Sequence, residues 1–366
     1  MAPRLLIAGG GTGGHAVPAL AIAEAVRRRC PESEILFIGT ARGVESRIVP
    51  KAGFRIEQIS VISLSRTVNA SLVRFPFLLA KGFAESILAV QRYRPDMTIC
   101  TGGYVSGPVG LASALLGVPL VLHDSNVLPG ITLRMLSRAA SLTLLGFEQA
   151  RKKMGGLVRK AVGNPTRMIK MGISREDARV SLGFESDRNT LLVIGGSQGA
   201  TPINLAVRDA LPRLMGQGIQ VLWQTGQLDY DKMTEVARPY GNRVRVMAFI
   251  DEMTNAYKSA NLAVSRSGAM TIAELHLFAV PAIFVPLATS SENHQEVNAR
   301  AMVREGWARM ILQQDLDADV FSAAVIDFIE NPGGLSRMAK IRAARGAGDA
   351  ADRVVSELID RNLLRF

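Results

Sequence analysis

Two short apolar runs, each followed by a glycine-rich turn, constrain the fold of this chain more than any other feature. The first run covers residues 5–8 and turns at GGGTGG, 9–14, and the second covers 191–194 and turns at GGSQG, 195–199. A run of this kind is typical of a buried parallel strand, and a helical pattern follows each turn. Glycines let a backbone approach a ligand closely, and the N–H groups at a helix start attract anions. The repeat predicts two nucleotide-binding-type domains.

Apolar strand patterns alternate with helical patterns along both halves, which indicates parallel sheets with right-handed crossovers. Strands are predicted at 4–9, 34–39, 55–60, 96–101, 118–122, 141–145, 158–162, 190–195, 219–223, 243–248, 261–265, 281–285 and 308–312. Helices are predicted at 16–29, 106–115, 200–215, 268–278, 293–305 and about 348–362, among others. The turn signal Gly163-Asn164-Pro165 divides the chain into domains at 1–163 and 164–345. The predicted fold class is α/β, with two Rossmann-like domains.

The composition is that of a globular protein with an excess of basic residues. The 366 residues carry 43 Lys and Arg against 32 Asp and Glu, a net charge of +11. This excess favours a phosphorylated substrate or an anionic membrane surface. Nucleic acid is not expected as a partner, because the basic residues are scattered and aromatic residues make up only 5%. Cys30 and Cys100 are the only cysteines, so no disulfide framework is expected and a reducing compartment is indicated.

Two segments could be mistaken for membrane or targeting signals. The N-terminus leads directly into a strand and a glycine turn, so no signal peptide is expected. Residues 98–122 carry no charge and are long enough to span a bilayer. Glycines and prolines interrupt them, however, and the segment is predicted to form a strand, a glycine loop, a helix and a second strand in a buried core.

The commoner glycine-loop functions do not fit. The first turn matches the dinucleotide pattern GxGxxG formally, but the second predicted strand ends at Ile38-Gly39-Thr40 without the acidic residue that would hold a ribose. Neither turn ends in the Gly-Lys-Ser/Thr of an ATP-binding loop. NAD and ATP are therefore not expected, whereas phosphate binding in general remains open.

Further polar, glycine-bearing clusters follow predicted strands, where α/β proteins bind ligands. They are TGGYVSG at 101–107, HDSN at 123–126, GNPTR at 163–167, FID at 249–251, SRSGAMTIAE at 265–274 and ENHQEVN at 292–298.

Together with GGTGGH at 10–15 and GGSQGA at 195–200, these motifs closely resemble those of the MurG family, over essentially the whole chain. That family transfers N-acetylglucosamine (GlcNAc) from UDP-GlcNAc to an undecaprenyl-diphospho-muramoyl-pentapeptide lipid. The resemblance implies a GT-B fold, in which two Rossmann-like domains face each other across a cleft. The donor would sit mainly on the second domain and the lipid acceptor on the first, with a C-terminal helix, about 346–366, packing back on the first. One departure is Asp124, where the family usually has Glu, so the role of this carboxylate stays open.

The candidate site residues follow from these motifs. His15 is the predicted catalytic residue, as general base or hydrogen-bond donor in the transition state, with a helix-capping role as the alternative. By resemblance, Glu274 would hold the ribose and Gln295 the sugar hydroxyls. Arg167 would hold the diphosphate, because a guanidinium matches phosphate geometry, with a solvated surface position as the alternative. Ile250 would meet uracil through its backbone and Tyr104 the acceptor. The other predicted substrate-binding residues are Thr12, Gly13, Gly14, Asn126, Ser197, Gln198, Gly199, Ala269, Met270, Thr271, His294 and Asn298. His123 is as compatible with a core position as with a functional one.

No cofactor and no metal are expected, on the interpretation that the chain lacks the Asp-x-Asp cluster of magnesium-dependent transferases. Backbone N–H groups and the helix start at residues 197–199 would stabilise the departing diphosphate instead.

The segment 72–83 is unusually apolar and is flanked by cations, so it is either a core helix or a patch that rests on anionic lipid headgroups. The resemblance implies a peripheral enzyme on the cytoplasmic face of the bacterial inner membrane, transferring GlcNAc with inversion to the C4 hydroxyl of the lipid-linked muramoyl sugar. Two alternatives stay open. One is another GT-B enzyme, a UDP-sugar:diacylglycerol transferase or a UDP-GlcNAc epimerase, and the other is a non-catalytic nucleotide-sugar-binding scaffold.

Overall fold

The computed structural model describes residues 2–61, 70–156, 158–166, 172–196, 198–331, 333 and 350–365, and for residues 70–76 and 291 it describes the backbone only. The chain forms two compact units. Unit 1 comprises Met1–Met168 and Gly348–Phe366, and unit 2 comprises Ile169–Ala347.

Unit 1 is built on a seven-stranded parallel sheet. Its strands are β1 Arg4–Gly9, β2 Glu34–Gly39, β3 Arg55–Gln58, β4 Met97–Gly102, β5 Leu120–Asp124, β6 Leu142–Leu145 and β7 Arg159–Ala161. Its helices are α1 Gly13–Arg29, α2 Glu45–Lys51, α3 Ala70–Tyr93, α4 Ser106–Leu115 and α5 Ile131–Leu136, with a 3-10 helix at Glu148–Lys153. The strand order is β3-β2-β1-β4-β5-β6-β7, so the chain reverses direction across the sheet at β1 and the carboxyl ends of β1 and β4 border a crevice.

Unit 2 repeats the plan with a six-stranded parallel sheet. Its strands are β8 Thr190–Ile194, β9 Gln220–Gln224, β10 Val244–Met247, β11 Leu262–Ser265, β12 Ala282–Phe284 and β13 Ala308–Met310. Its helices are α6 Arg175–Ser181, α7 Thr201–Gly216, α8 Tyr230–Ala237, α9 Met253–Ser259, α10 Ala269–Leu277, α11 His294–Arg304 and α12 Ala318–Glu330, with 3-10 helices at Arg238–Arg243, Ser291–Asn293 and Gln313–Asp315. The order β10-β9-β8-β11-β12-β13 places the reversal at β8.

The central strands explain why the sequence pattern was informative. Every residue of β4, β5, β8 and β9 is buried, as expected for parallel strands covered by helices on both faces. The uncharged segment 98–122 forms most of β4, the following loop, α4 and the start of β5, which confirms the prediction of a strand, loop, helix and strand. Within the described ranges, no helix is both long and apolar enough to cross a membrane.

A final helix, α13 Ala350–Asp360, packs against α1 in unit 1. Its apolar face enters the same core as α1 and the central strands, through Ala351, Val354, Val355 and Leu358. At the surface, Arg28 pairs with Asp352 at 3.0 Å. The α/β fold class is confirmed, and each predicted strand is present with its ends shifted by a few residues at most. The apolar segment 72–83 lies within α3.

Candidate functional site

The first glycine turn is held by a carboxylate of the chain itself. The N–H of Gly11, whose φ of +86° favours glycine, donates to Oε2 of Glu45 at 2.8 Å. Glu45 is almost fully buried, and its Oε1 accepts from the N–H and the hydroxyl of Thr40, both at 3.0 Å. A phosphate at the Gly11 N–H would therefore meet a negative charge. The expectation that both turns bind anions is therefore corrected at Gly11, because the Gly11 N–H already donates to Glu45.

Glu45 is a residue that sequence reasoning missed. The dinucleotide pattern places an acidic residue at the end of the second strand, whereas Glu45 begins α2, five residues after Thr40. Its carboxylate reaches back under the turn because Gly10, Gly39 and Gly43 have no side chains to exclude it. These three glycines are the sequence signal that a side chain packs closely against this turn.

His15 lies in the first turn of α1, half-buried, with its ring against the turn that follows β4. Its Nδ1 is 3.1 Å from the carbonyl oxygen of Thr101, and the Thr101 hydroxyl donates to the His15 carbonyl at 2.8 Å. A carbonyl can only accept, so Nδ1 carries the hydrogen and the lone pair of the neutral ring lies on Nε2. Gly102, at φ +105°, allows this packing, because a Cβ there would lie 2.6 Å from Nδ1.

Tyr104 is half-buried beside the same turn. Its hydroxyl lies 3.4 Å from the hydroxyl of Thr40, and a Cβ on Gly11 would lie 2.7 Å from its ring. Tyr104 thus supports the first glycine turn, and its contact with an acceptor stays a prediction.

The HDSN motif ends β5 with two buried titratable groups. Asp124 accepts the N–H groups of Asn126 and Gly130, each at 2.8 Å. Burial raises the pKa of Asp124 to about 6, and these two bonds oppose the rise. The short aspartate side chain suits this local turn, which leaves Asn126 half-buried at its edge. The open question about Asp124 thus has a structural answer: its carboxylate shapes the loop.

His123 is fully buried, and its Nε2 donates to the carbonyl of Gly163 at 3.0 Å. Burial lowers the pKa of His123 to about 4, against the effect of that bond, so the ring is neutral near pH 7. These contacts favour the core position over the functional one.

The second glycine turn differs from the first in the partners of its described backbone N–H groups. It connects β8 to α7, with Gly196 at φ +89° and Gly199 at φ +80°, and the Gly199 N–H donates to the Gly196 carbonyl at 3.0 Å. Over the described part of the turn (195, 196 and 198–200), no backbone N–H donates to an acidic side chain. Gln198 is exposed. The turn is therefore compatible with an anionic ligand in a way that the Gly11 position is not.

Glu274 lies in the second turn of α10, half-buried, and accepts the Tyr257 hydroxyl at 2.6 Å. Burial raises the pKa of Glu274 and the Tyr257 bond opposes the rise. Burial also raises the pKa of Tyr257 well above its ordinary value, so this hydroxyl stays a donor. The first turn of α10 consists of Ala269, which is buried, and of Met270 and Thr271, which are half-buried.

The start of α11 carries three predicted residues with different environments. His294 and Gln295 are half-buried, whereas Asn298 is fully buried. Oε1 of Gln295 accepts the Leu287 N–H at 3.0 Å, so its amide Nε2 is the group that can donate to a sugar hydroxyl. Asn298 donates to the carbonyl of Ser267 at 3.3 Å. This contact positions the loop before α10 from inside the core.

Ile250 is buried, and its N–H donates to Gln224 at 3.0 Å. A base contact through the Ile250 backbone would therefore use its carbonyl or displace Gln224. Arg167 and Ser197 lie outside the described residues, and their roles stay predictions.

The interpretation that the chain lacks Asp-x-Asp overlooked two runs, 229–231 and 315–319. Asp229 accepts from the Thr201 hydroxyl at 2.8 Å and from Asn204 at 2.7 Å, and Asp317 caps α12 by accepting the Val320 N–H at 2.8 Å. No group of three His, Cys, Asp or Glu side chains suited to a metal ion occurs within the described ranges.

Comparison with known proteins identifies the family of this chain. Residues 5–144 match the glycosyltransferase family 28 N-terminal domain, and residues 190–354 match the glycosyltransferase family 28 C-terminal domain. The chain is 40% identical to a protein of Desulfitobacterium hafniense (strain Y51) named UDP-N-acetylglucosamine–N-acetylmuramyl-(pentapeptide) pyrophosphoryl-undecaprenol N-acetylglucosamine transferase, over 98% of this chain and 99% of that protein. A protein of the same name from Salinibacter ruber is 38% identical, over 98% and 96%. The chain belongs to the MurG family.

Solved structures agree with membership of the MurG family. The crystal structure of Acinetobacter baumannii MurG superposes with a TM-score of 0.78 at 27% identity, covering 99% of this chain and 100% of that one. A Staphylococcus aureus MnaA–UDP structure, at 14% identity and a TM-score of 0.67, shares the fold, over 100% of this chain and 98% of that one. The GT-B fold that the MurG resemblance implied is confirmed, and the chain is a glycosyltransferase.

Proposed function

We propose that this chain transfers GlcNAc from UDP-GlcNAc to the C4 hydroxyl of undecaprenyl-diphospho-N-acetylmuramoyl-pentapeptide, with inversion, converting lipid I to lipid II. The observation that carries the proposal is the 40% identity to a transferase of that name across nearly the full length of both chains. This identity does not favour the alternatives of an epimerase or a diacylglycerol transferase.

Unit 2 is proposed to hold the donor. The described N–H groups of the second glycine turn donate to no acidic side chain, so the turn suits the charge that develops on departing UDP. Asp229 binds the side chains of Thr201 and Asn204 at the start of α7. Glu274 would accept the ribose hydroxyls, and Gln295 would donate to the sugar. Arg167 and Ser197 would complete the diphosphate contacts.

His15 is proposed to act on the acceptor. The acceptor C4 oxygen attacks the anomeric carbon as the bond from that carbon to the diphosphate breaks, and the electron pair of that bond leaves with UDP. The hydroxyl proton passes to Nε2 of His15, whose lone pair is fixed there by the Nδ1 contact with Thr101. Attack on the face opposite the leaving group inverts the anomeric centre through an oxocarbenium-like state, as in inverting glycosidases.

Three neighbouring helices of unit 1 are proposed to rest on the membrane. Large apolar side chains are exposed on α3, α4 and α5, with α4 packed between the other two. They are Phe77 (78% exposed), Leu79, Leu88, Leu111, Leu115, Ile131 and Met135 (75% exposed). We call this set the apolar face. With the net charge of +11, it supports peripheral binding to the anionic cytoplasmic surface of the inner membrane.

The test is transfer of radiolabelled GlcNAc from UDP-GlcNAc to a lipid-linked muramoyl acceptor, with a chelator present. We expect labelled lipid product and UDP release that depends on this acceptor. UDP release with diacylglycerol instead would favour the diacylglycerol transferase. Conversion of UDP-GlcNAc without acceptor would favour the epimerase, and binding without turnover the scaffold.

A further inference from the structure

Gln224 connects two parts of unit 2. The proposed function assigns one to the diphosphate, and the MurG resemblance assigns the other to the base. It is the last residue of β9 and is only 3% exposed. Its Nε2 donates to the carbonyl of Gly196 at 2.9 Å, within the second glycine turn. Its Oε1 accepts the N–H of Ile250 at 3.0 Å, in the segment expected to meet the base. One buried amide thus bonds to both segments at once.

The backbone around Gln224 brings these segments together. After β9 the chain continues to pair with the end of β10, because Thr225 N–H donates to Met247 and Gly226 N–H donates to Ala248, at 3.0 and 3.1 Å. The glycine turn lies against the same backbone, since a Cβ on Gly226 would lie 2.5 Å from the Gly199 Cα. The turn and the 248–250 segment therefore share one support, and Gln224 is the side chain that bonds to both.

We propose that Gln224 is a positioning residue that sets the spacing between the diphosphate site and the base site for a nucleoside diphosphate. This inference rests on the proposed function. A ligand that occupies both sites needs them at one separation, whereas uridine or pyrophosphate needs only one of them. Loss of Gln224 should therefore weaken binding of the whole nucleotide more than binding of either part, because preorganisation is lost.

The experiment compares Gln224→Glu and Gln224→Met with Gln220→Met. Glutamate retains an acceptor for the Ile250 N–H but places a carboxylate oxygen against the Gly196 carbonyl, and methionine removes both bonds. Gln220 is the matched control because it is a buried glutamine on the same strand, bonded instead to Glu185 at 3.1 and 2.8 Å. Calorimetry measures the Kd of UDP, uridine and pyrophosphate, and kinetics give KM and kcat with UDP-GlcNAc.

We expect the Kd of UDP to rise about tenfold or more in both Gln224 variants, as for the loss of one or two buried hydrogen bonds. The Kd values for uridine in Gln224→Glu and for pyrophosphate in Gln224→Met should change by less than about threefold, since a single-site ligand makes no demand on spacing. The Gln220 variant should keep wild-type values for all three ligands. Equal weakening of all three ligands in the Gln224 variants, or unchanged UDP binding, would overturn the inference. A wild-type chain that fails to bind UDP would overturn the proposed function instead.

Hydrogen exchange of the wild-type chain tests the same coupling without a substitution. Saturating uridine should slow exchange in residues 195–200, which it does not touch, as well as in 248–251. Protection confined to 248–251 would contradict the role of Gln224.

Discussion

Burial shifts the pKa values of two neighbouring residues at the end of β5. His123 and Asp124 are neighbours at the end of β5, and burial moves their pKa values in opposite directions, to about 4 and about 6. In both residues, burial disfavours the charged form of the side chain. As pH rises from about 4 to 6, the lowered pKa of His123 adds stability and the raised pKa of Asp124 removes it. The two contributions nearly cancel in the wild-type chain.

Asp124→Asn should reveal this cancellation. Removing the aspartate removes its pH-dependent contribution and leaves that of the histidine. The free energy of unfolding of the variant relative to wild type should therefore grow by about 2 kcal/mol between pH 4 and pH 6. Urea denaturation at each pH measures the difference. The fixed cost of replacing one carboxylate oxygen by an amide group shifts all points equally. A difference independent of pH would mean that the Asp124 pKa is not raised.

His15→Ala tests the proposed base. We expect kcat to fall by about a hundredfold or more, the usual contribution of a general base. KM for UDP-GlcNAc should stay within about threefold, because the proposed donor contacts lie mainly in unit 2. Steady-state transfer kinetics check both constants. Unchanged kcat would remove His15 from the chemistry.

At the scale of elements, the two glycine turns look alike in sequence and differ in their environment. The turn before α1 has a buried carboxylate against it, and the described part of the turn before α7 has none. The same strand–turn–helix element is thus a rigid platform for His15 in unit 1 and a candidate anion site in unit 2. The distinction depends on one side chain of α2.

Glu45→Gln should loosen the first turn. An amide nitrogen would face one of the three donors that the carboxylate now accepts, so the free energy of unfolding should fall by about 1–3 kcal/mol, and kcat should fall as His15 shifts. Glu34→Gln is the control, because Glu34 forms an exposed pair with Arg4 at 3.2 Å. This substitution should lower the free energy of unfolding by less than about 1 kcal/mol. Equal stability of the two variants in urea would refute the supporting role of Glu45.

The apolar face makes a prediction for membrane binding. Leu115→Glu or Met135→Glu should each lower partitioning onto anionic vesicles by about tenfold or more, since each removes an apolar side chain and adds a negative charge. Leu228→Glu is matched to them, because Leu228 is 85% exposed but lies in unit 2. Vesicle flotation compares the three. An equal loss in the control would show that net charge, and not this face, governs binding.

At the scale of the whole molecule, unit 1 is assembled from two separate stretches of chain. Leu358 of α13 is fully buried in a core that combines residues 5–162 with a few residues of 351–364. Leu358→Ala should therefore destabilise unit 1 by about 2–5 kcal/mol. Both tryptophans, Trp223 and Trp307, lie in unit 2, so their fluorescence reports on that unit.

In Leu358→Ala, hydrogen exchange in α1 should become faster. The urea midpoint measured by tryptophan fluorescence should change little. Val320→Ala, at an exposed position of α12, is the control and should change stability by less than about 0.5 kcal/mol. A tryptophan midpoint that moves as far as the exchange in α1 would contradict this local effect.

Much of this architecture could be predicted from sequence because buried parallel strands are continuous apolar runs, and turns carry glycine and proline. The same reasoning located the loops of the candidate site. It could not find Glu45 or Gln224, since their contacts join segments that are distant in sequence and follow no periodic pattern. It also could not show that Asn298 and Asp124 are buried and bond to the backbone. A polar residue near the end of a strand or helix gives the same sequence pattern whether it binds a ligand or a backbone group.

The return of the chain to unit 1 bears on how the protein is made. Unit 2 is continuous in sequence, so its residues are all translated before α13 emerges from the ribosome. Unit 1 lacks α13 until the end of translation, and until then the apolar side chains of α1 that α13 covers stay exposed. Ribosome-bound chains that end before residue 350, followed by an unstructured linker, should resist protease in unit 2 and be cleaved in unit 1. Chaperone demand during synthesis should accordingly concentrate on the half that is translated first.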